Sequence, residues 1–420
     1  MTQDEHKPAT EIKHFFWNAV GNASNTLTSL LFLMAVVRIL GVNDGGVFSI
    51  AFTTSLILLT VGLYGIRNYQ VTDTGNVFPA GVYVSVRLVT IMMMMIIGVG
   101  FCIINGYSIY KSAVVCLLVA YKATEAISDV FYGTLQKNRK LYIAGISMTI
   151  RALISIFSFV ITMILSKSLL MSSLILLLSG FLPLLLVDLP FARKQESIAP
   201  VFSKGKIIKL FMACFPVFAV SFISLVVVNV PKYVIDSSLT EESQTIYNII
   251  VMPGTSISLF SQIIIQSFLL HLAHFRDNSQ MKRFFSVILK IILLIVLFTG
   301  LFTFVCYLWG DKLLFLLYGL ELKEYIPLLL IVIVGAMFSS IAVVLSVALT
   351  TLRITRVQLY ILLVDLIAAL IISLLLIPQI GLFGAAMSYF IVMVIQFLLY
   401  AGIFIWTILT SRAEHERGDV

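Results

Sequence analysis

Twelve apolar stretches, each about twenty residues long and joined by short polar connections, fill almost the whole chain. Roughly 20 mostly apolar residues cross the hydrocarbon core of a bilayer, where every backbone N–H and C=O must be satisfied within the protein. The chain is thereby confined to an all-α integral membrane bundle. The spacing predicts about twelve transmembrane helices, near 16–39, 47–66, 82–105, 111–134, 142–165, 169–189, 208–230, 245–270, 284–308, 326–350, 357–377 and 381–409. Composition agrees: 60% of the 420 residues are hydrophobic and 11% charged, against roughly 25% charged in soluble proteins. No connection is long enough for a soluble domain. The segment 67–87 reads as loop, interfacial helix or the start of a span.

The net charge of +8 is scattered among the spans, which argues against nucleic-acid binding. Basic residues gather on one side of the membrane by about three to one when the amino terminus is placed inside, as the positive-inside rule expects. Both termini are therefore expected in the cytoplasm. The polar opening MTQDEHKPATEIKH leads into an apolar stretch too long for a signal-peptide core, and reads as an uncleaved signal-anchor. Cys102, Cys116, Cys214 and Cys306 lie in or beside apolar spans with no Cys-x-x-Cys or Cys/His spacing, so neither a disulfide framework nor a metal is indicated. There is no Gly-Lys-Ser/Thr nucleotide loop and no Ser/His/Asp or paired-carboxylate arrangement. The chain reads as a non-enzyme without a cofactor.

The two sets of six spans echo one another. Thr134-Leu135, a basic loop and Leu141-Tyr142 open the fifth span; Thr351-Leu352, a basic loop and Leu359-Tyr360 open the eleventh. Six spans return the chain to the same side, so the halves are parallel repeats, as in transporters that bind cargo between two bundles. The expected division is an N-terminal bundle over 1–190, a basic cytoplasmic linker over 191–206 and a C-terminal bundle over 207–420.

Charge inside the spans marks the candidate site. Lys122, Glu125 and Asp129 lie three and four residues apart in the fourth span and share one helix face; Arg87 and Arg151 fall in the third and fifth spans. An ionised side chain at mid-bilayer costs about 2.5–3.5 kcal/mol on insertion scales, so this face looks at protein or at a water-filled path. Two readings stand: the cations line a cationic cavity, or they form structural ion pairs with the acids. Three bases against two acids leave a positive excess in the first half. The second half offers only Asp365 at mid-span, a candidate for ion coupling. A cavity basic on one side and nearly apolar on the other suits an anionic amphiphile with a long hydrocarbon tail. Arg38 and Arg67 sit at the membrane edge, as topological markers or at a cavity mouth, and Asp188 is expected at the interface. Pro183, Pro216 and Pro253 lie inside spans, where they can kink helices.

Three segments carry a family resemblance. The first contains Trp17-Asn18, Arg38-Ile39-Leu40-Gly41 and Gly46-Val47-Phe48-Ser49; the second contains Asn229, Pro231, Lys232, Tyr233 and Tyr247; the third is FYGTLQKNRKLY. Together they resemble bacterial polysaccharide exporters, the lipid-linked oligosaccharide (O-antigen-type) flippases of the multidrug/oligosaccharidyl-lipid/polysaccharide (MOP) superfamily. Lys232 stands where arginine is commoner, and the loop near Leu272 lacks the usual Pro-x-Leu. The resemblance implies a MATE-like fold of two six-helix bundles around a V-shaped cavity, in the bacterial plasma membrane. It implies carriage of undecaprenyl-pyrophosphate-linked oligosaccharide for O-antigen, capsule or another surface polysaccharide, by alternating access and without ATP. Partners would be membrane lipid, the polysaccharide polymerase and other assembly proteins. Substrate-binding candidates are then Arg151, Lys122, Arg87, Arg38 and Arg67, and ion-coupling candidates Asp365, Glu125 and Asp129. A multidrug/cation antiporter of the same superfamily is the rival, and it would need acidic residues to meet its cargo.

Overall fold

The computed structural model describes residues 8–418 except 76, 279 and 355, and among these no strand occurs. Thirteen α-helices follow in order: α1 Pro8–Leu40, α2 Val42–Leu63, α3 Ile66–Thr72, α4 Ala80–Ile104, α5 Ile109–Lys137, α6 Leu141–Ser166, α7 Leu169–Pro183, α8 Leu189–Arg193, α9 Lys204–Ser238, α10 Glu241–Asp277, α11 Met281–Tyr318, α12 Ile326–Thr351 and α13 Arg356–Gly418. Among the described residues, ten helical segments are long and apolar enough to span a bilayer. Two more follow from the geometry. Helix α5 has the length but carries the charges named above. Helix α13 is interrupted beyond Pro378 at Ile380 and Gly381, where Gly381 takes φ +61°, so its 63 residues make two spans. Ten and two give the expected twelve in this multi-pass membrane protein.

The chain divides into two compact units, 1–222 and 223–420. The division falls inside α9, downstream of the basic segment where the sequence suggested it. Segment 191–206 packs in the first unit instead: Ala192 and Ile198 are buried, and the Val201 N–H donates to the Gly81 carbonyl at 3.1 Å. In the first unit α1 packs on α6, α2 on α4 and α5, and α7 on α5 and α6; in the second, α10 packs on α11 and α12, and α12 on α13. The repeat is visible in one helix ending. After α5, Arg139 takes φ 55°, its N–H meets the Gln136 carbonyl and the Lys140 N–H meets that of Leu135. After α12, Arg353 takes φ 65°, its N–H meets Thr350 and the Ile354 N–H meets Leu349. Both are left-handed helix caps. They pair Arg139 with Arg353, a register three residues away from the one the Thr-Leu pairs suggest.

Small residues let α1 and α6 touch. A β-carbon on Gly145 would lie 2.2 Å from the Trp17 carbonyl oxygen, and one on Gly21 would lie 2.8 Å from that of Gly145. In lipid, small residues at a helix interface let the backbones approach closely and gain van der Waals packing. Gly145→Val is therefore expected to force the helices apart at a cost of about 1–3 kcal/mol. A lower thermal midpoint in detergent, read by size-exclusion fluorescence, would show it; an unchanged midpoint would contradict the contact.

The ambiguous segment 67–87 resolves into α3, a polar turn and the first turns of α4. Tyr64 and Gly65 take φ 46° and 67°, breaking α2 from α3. Asp73 organises the turn, accepting from the N–H groups of Val77 (2.9 Å) and Phe78 (3.1 Å) and from the Tyr83 hydroxyl (2.7 Å). Burial pushes its carboxyl up, but the Val77 N–H, the Tyr83 hydroxyl, the Phe78 N–H and nearby Lys137 outweigh it and hold the group below the usual carboxylate range. A depressed folded value stabilises fully above the unfolded value of about 4, and the gain is lost as pH falls through the lower folded value. Asp73→Ala should cost about 1–3 kcal/mol at neutral pH. The gap in midpoint between variant and wild type should close as the medium is acidified below about pH 4.

Candidate functional site: the ionic face of α5

Three ionic clusters hang on α5. The innermost is a pair between Arg151 of α6 and Asp188. Arg151 Nη1 donates to the Thr124 hydroxyl (3.0 Å) and the Gly180 carbonyl (3.1 Å); Nη2 donates to the Ser128 hydroxyl and reaches Asp188 at 3.3 Å. Asp188 also accepts from Ser128 (2.6 Å) and Ser147, and Ser147 accepts from the Tyr132 hydroxyl at 3.2 Å. Asp188, expected at the interface, is fully buried. Local backbone explains this. Pro183 ends α7 and Leu184–Asp188 continues as a π-turn before α8. One widened turn rotates everything after it and carries the carboxylate inward, which fits the tendency of π-bulges to occur where a side chain must be re-aimed.

The second cluster is Lys122 with Glu125, three residues apart and 2.6 Å between charged atoms. The ammonium also lies over the rings of Phe52 (5.4 Å) and Tyr121 (5.5 Å). Its charge is thus held by one carboxylate and two aromatic faces.

The third cluster opens on a cavity. Arg87 of α4 is 1% exposed, donates to the Gly62 carbonyl, and meets Asp129 at 2.6 Å. Arg67 of α3 meets the other oxygen of Asp129 at 3.3 Å and gives Nε and Nη2 to Gln136 Oε1 at 3.2 and 2.9 Å. Arg67, Asp129 and Gln136 line a cavity of about 600 Å³, with Asn68, Thr72 and Leu63 on one side and Val217, Phe218 and Ser221 of α9 on another. All of its walls belong to the first unit.

The eight sequence candidates therefore separate. Arg67 and Asp129 line the cavity and Arg87 stands behind them; Lys122 and Glu125 pair on the neighbouring turns of α5; Arg151 is locked in the bundle interior with Asp188. Arg38 is exposed in the last turn of α1 and lies outside this cavity. Asp365 belongs to the second unit, where it is fully buried beside Gln396; neither of its oxygens makes a hydrogen bond of ordinary geometry among the described residues. For Arg151 and Arg87 the structural ion-pair reading describes the contacts observed. Sequence reasoning passed over Gln136 and the hydroxyls of Thr124, Ser128 and Ser147, and it set Asp188 at the interface where the structure buries it. The signal was spacing: Thr124 and Ser128 are four apart, as are Ser147 and Arg151, so each pair shares a helix face. Among the described residues no group of three His, Cys, Asp or Glu side chains gathers as a metal site.

The all-α fold of this chain resembles that of solved transporters of the MOP superfamily. An inward-facing multidrug resistance MATE family transporter of that superfamily superposes with a TM-score of 0.71 at 12% identity, over 93% of this chain and 96% of that one. The lipid II flippase MurJ in its inward closed conformation superposes with a TM-score of 0.73 at 13% identity, over 94% and 87%. At these identities the likeness is one of fold. In sequence, the chain is 27% identical over 402 residues to the capsular polysaccharide biosynthesis protein CapF of Staphylococcus aureus, covering 94% of this chain and all of the relative. No family model matches.

Proposed function

We propose that this protein is a flippase that carries undecaprenyl-pyrophosphate-linked oligosaccharide from the inner to the outer leaflet of the bacterial plasma membrane, for capsule, O-antigen or another surface polysaccharide. The observation that carries this reading is the end-to-end relative in capsular polysaccharide biosynthesis. The fold, shared with a lipid II flippase and with multidrug transporters, supports movement of an amphiphile rather than chemistry upon it. The charge of the cavity cluster favours an anionic cargo over the cations of an antiporter, since it joins two arginines to one aspartate. On this reading both termini are cytoplasmic, the basic residues of the first unit meet the diphosphate, and the units expose the cargo to the two leaflets in turn. Asp365 is the ion-coupling candidate, because Glu125 and Asp129 already hold cations. Polymerase and other assembly proteins would take over the delivered repeat unit.

The test is flipping of a short undecaprenyl-pyrophosphate oligosaccharide in proteoliposomes, with outer-leaflet exposure read by an impermeant glycosidase. Protein-dependent exposure at least tenfold above empty vesicles is expected. Wild type that moves no lipid but exports cationic dyes would establish the antiporter instead.

A further inference from the structure

The three ionic clusters on α5 differ in their charge sums. Lys122 with Glu125, and Arg151 with Asp188, each set one cation against one anion. The cluster of Arg67, Arg87 and Asp129 sets two cations against one anion and keeps a surplus of one positive charge. It is also the cluster that lines the cavity. A surplus cation at the wall of a cavity raises the local concentration of anions there.

The contacts say which arginine would answer it. Asp129 is bound unequally, 2.6 Å from Arg87 and 3.3 Å from Arg67. The Arg87 side chain is 1% exposed and that of Arg67 is 21% exposed. Gln136 holds the Nε and Nη2 edge of Arg67, which fixes the guanidinium plane and leaves the loosely held Nη1 as the edge that can turn to a ligand. Asn68, Thr72 and Ser221 add polar groups to the walls, and Leu63 and Phe218 add apolar ones. A planar fork in a mixed wall of this kind suits phosphate oxygens attached to a hydrocarbon.

We propose that this cavity is a binding site for a phosphate or diphosphate group. Arg67 is the residue that contacts the anion, and Asp129 is the resident counter-anion that Arg67 exchanges for it, while Arg87 retains Asp129. The proposal rests on the flippase reading and deepens it by placing the headgroup at one cavity of the first unit. Asp129 then lowers the affinity of the empty site and keeps the charge covered until cargo arrives.

The experiment uses the full chain in phosphatidylcholine nanodiscs and measures binding of radiolabelled inorganic pyrophosphate and of geranyl diphosphate. Arg67→Ala should weaken both at least tenfold. Asp129→Asn should tighten them severalfold by releasing Arg67. Val217→Trp fills the cavity without touching a charge and should weaken binding as Arg67→Ala does; it decides the matter if Asp129→Asn fails to fold. Tighter binding of geranyl diphosphate than of pyrophosphate would support a lipid headgroup as the ligand, and equal binding would support a free phosphate; either upholds the site. Wild-type affinity in both Arg67→Ala and Val217→Trp would overturn it, as would weaker binding in a folded Asp129→Asn. Flipping assays on the same preparations separate the two readings. Wild type that flips lipid while Arg67→Ala binds normally removes the site and leaves the flippase. Binding through Arg67 in a protein that flips nothing does the reverse.

Discussion

Arg151→Ala is expected to destabilise the protein by about 3–5 kcal/mol, the usual cost of stranding one partner of a buried ion pair. Asp188 would keep its hydrogen bonds from Ser128 and Ser147 but lose the cation that faces it in a fully buried site. The Thr124 hydroxyl, which still donates to the Tyr121 carbonyl, and the Gly180 carbonyl would lose the guanidinium donor as well. Three spans meet at this point, because the network joins α5, α6 and the turn after α7. The loss should appear as a fall in the midpoint of thermal or denaturant unfolding and in the yield of monodisperse protein. Arg151→Lys should recover only part of it, since an ammonium cannot reproduce the guanidinium fork to Thr124, Ser128, Gly180 and Asp188. The double variant Arg151→Met with Asp188→Leu should recover most of it, because buried pairs are commonly replaceable by apolar residues of similar volume. Any transport defect in Arg151→Ala must be read beside these midpoints. A variant that keeps the wild-type midpoint and still fails to transport would show that Arg151 acts on cargo, not on the fold.

That distinction was not legible in the sequence, although much around it was. The span count followed from hydropathy, since nothing but helix satisfies a backbone in lipid here, and the expected gap between spans 357–377 and 381–409 is where α13 breaks. The interior direction of the α5 face followed from the cost of charge. Pairing did not follow, because the chain from Leu184 to Asp188 reads as ordinary helix and nothing in Leu-Leu-Leu-Val-Asp reveals the π-turn that swings the carboxylate inward. In a soluble helix the apolar stripe would have told inside from outside. In lipid both faces are apolar, so the exposed Leu185 and Leu186 look no different from the buried Leu184. The break between α2 and α3 was hidden for a related reason: Tyr64 takes a left-handed conformation that its residue type does not advertise, and only the following glycine hints at it. The site was therefore legible as a set of charges and illegible as a set of partners.

Asp365→Asn is expected to leave the fold intact and to abolish the response of transport to an ion gradient. The side chain is fully buried in α13, with Gln396 and Tyr400, both uncharged, near it. An ionised carboxylate that is not paired in such a place costs several kcal/mol, a penalty that asparagine, with nearly the same shape and no charge, does not incur. The midpoint of unfolding should accordingly be unchanged or higher, in contrast to the fall expected for Arg151→Ala. The functional effect should be the opposite. If the Asp365 carboxylate takes up and releases the coupled ion, removing its charge cycle uncouples the second unit from the gradient. Flipping in proteoliposomes with an imposed proton or sodium gradient should drop at least tenfold, towards the rate of the same vesicles without a gradient. Equilibrative exchange between leaflets should persist, because the cations proposed to meet the cargo lie in the first unit and are untouched. A variant that still accelerates under the gradient as wild type does would remove Asp365 from the coupling step and send the search back to Glu125 and Asp129, whose charges would then have to leave Lys122 and Arg87 during each cycle.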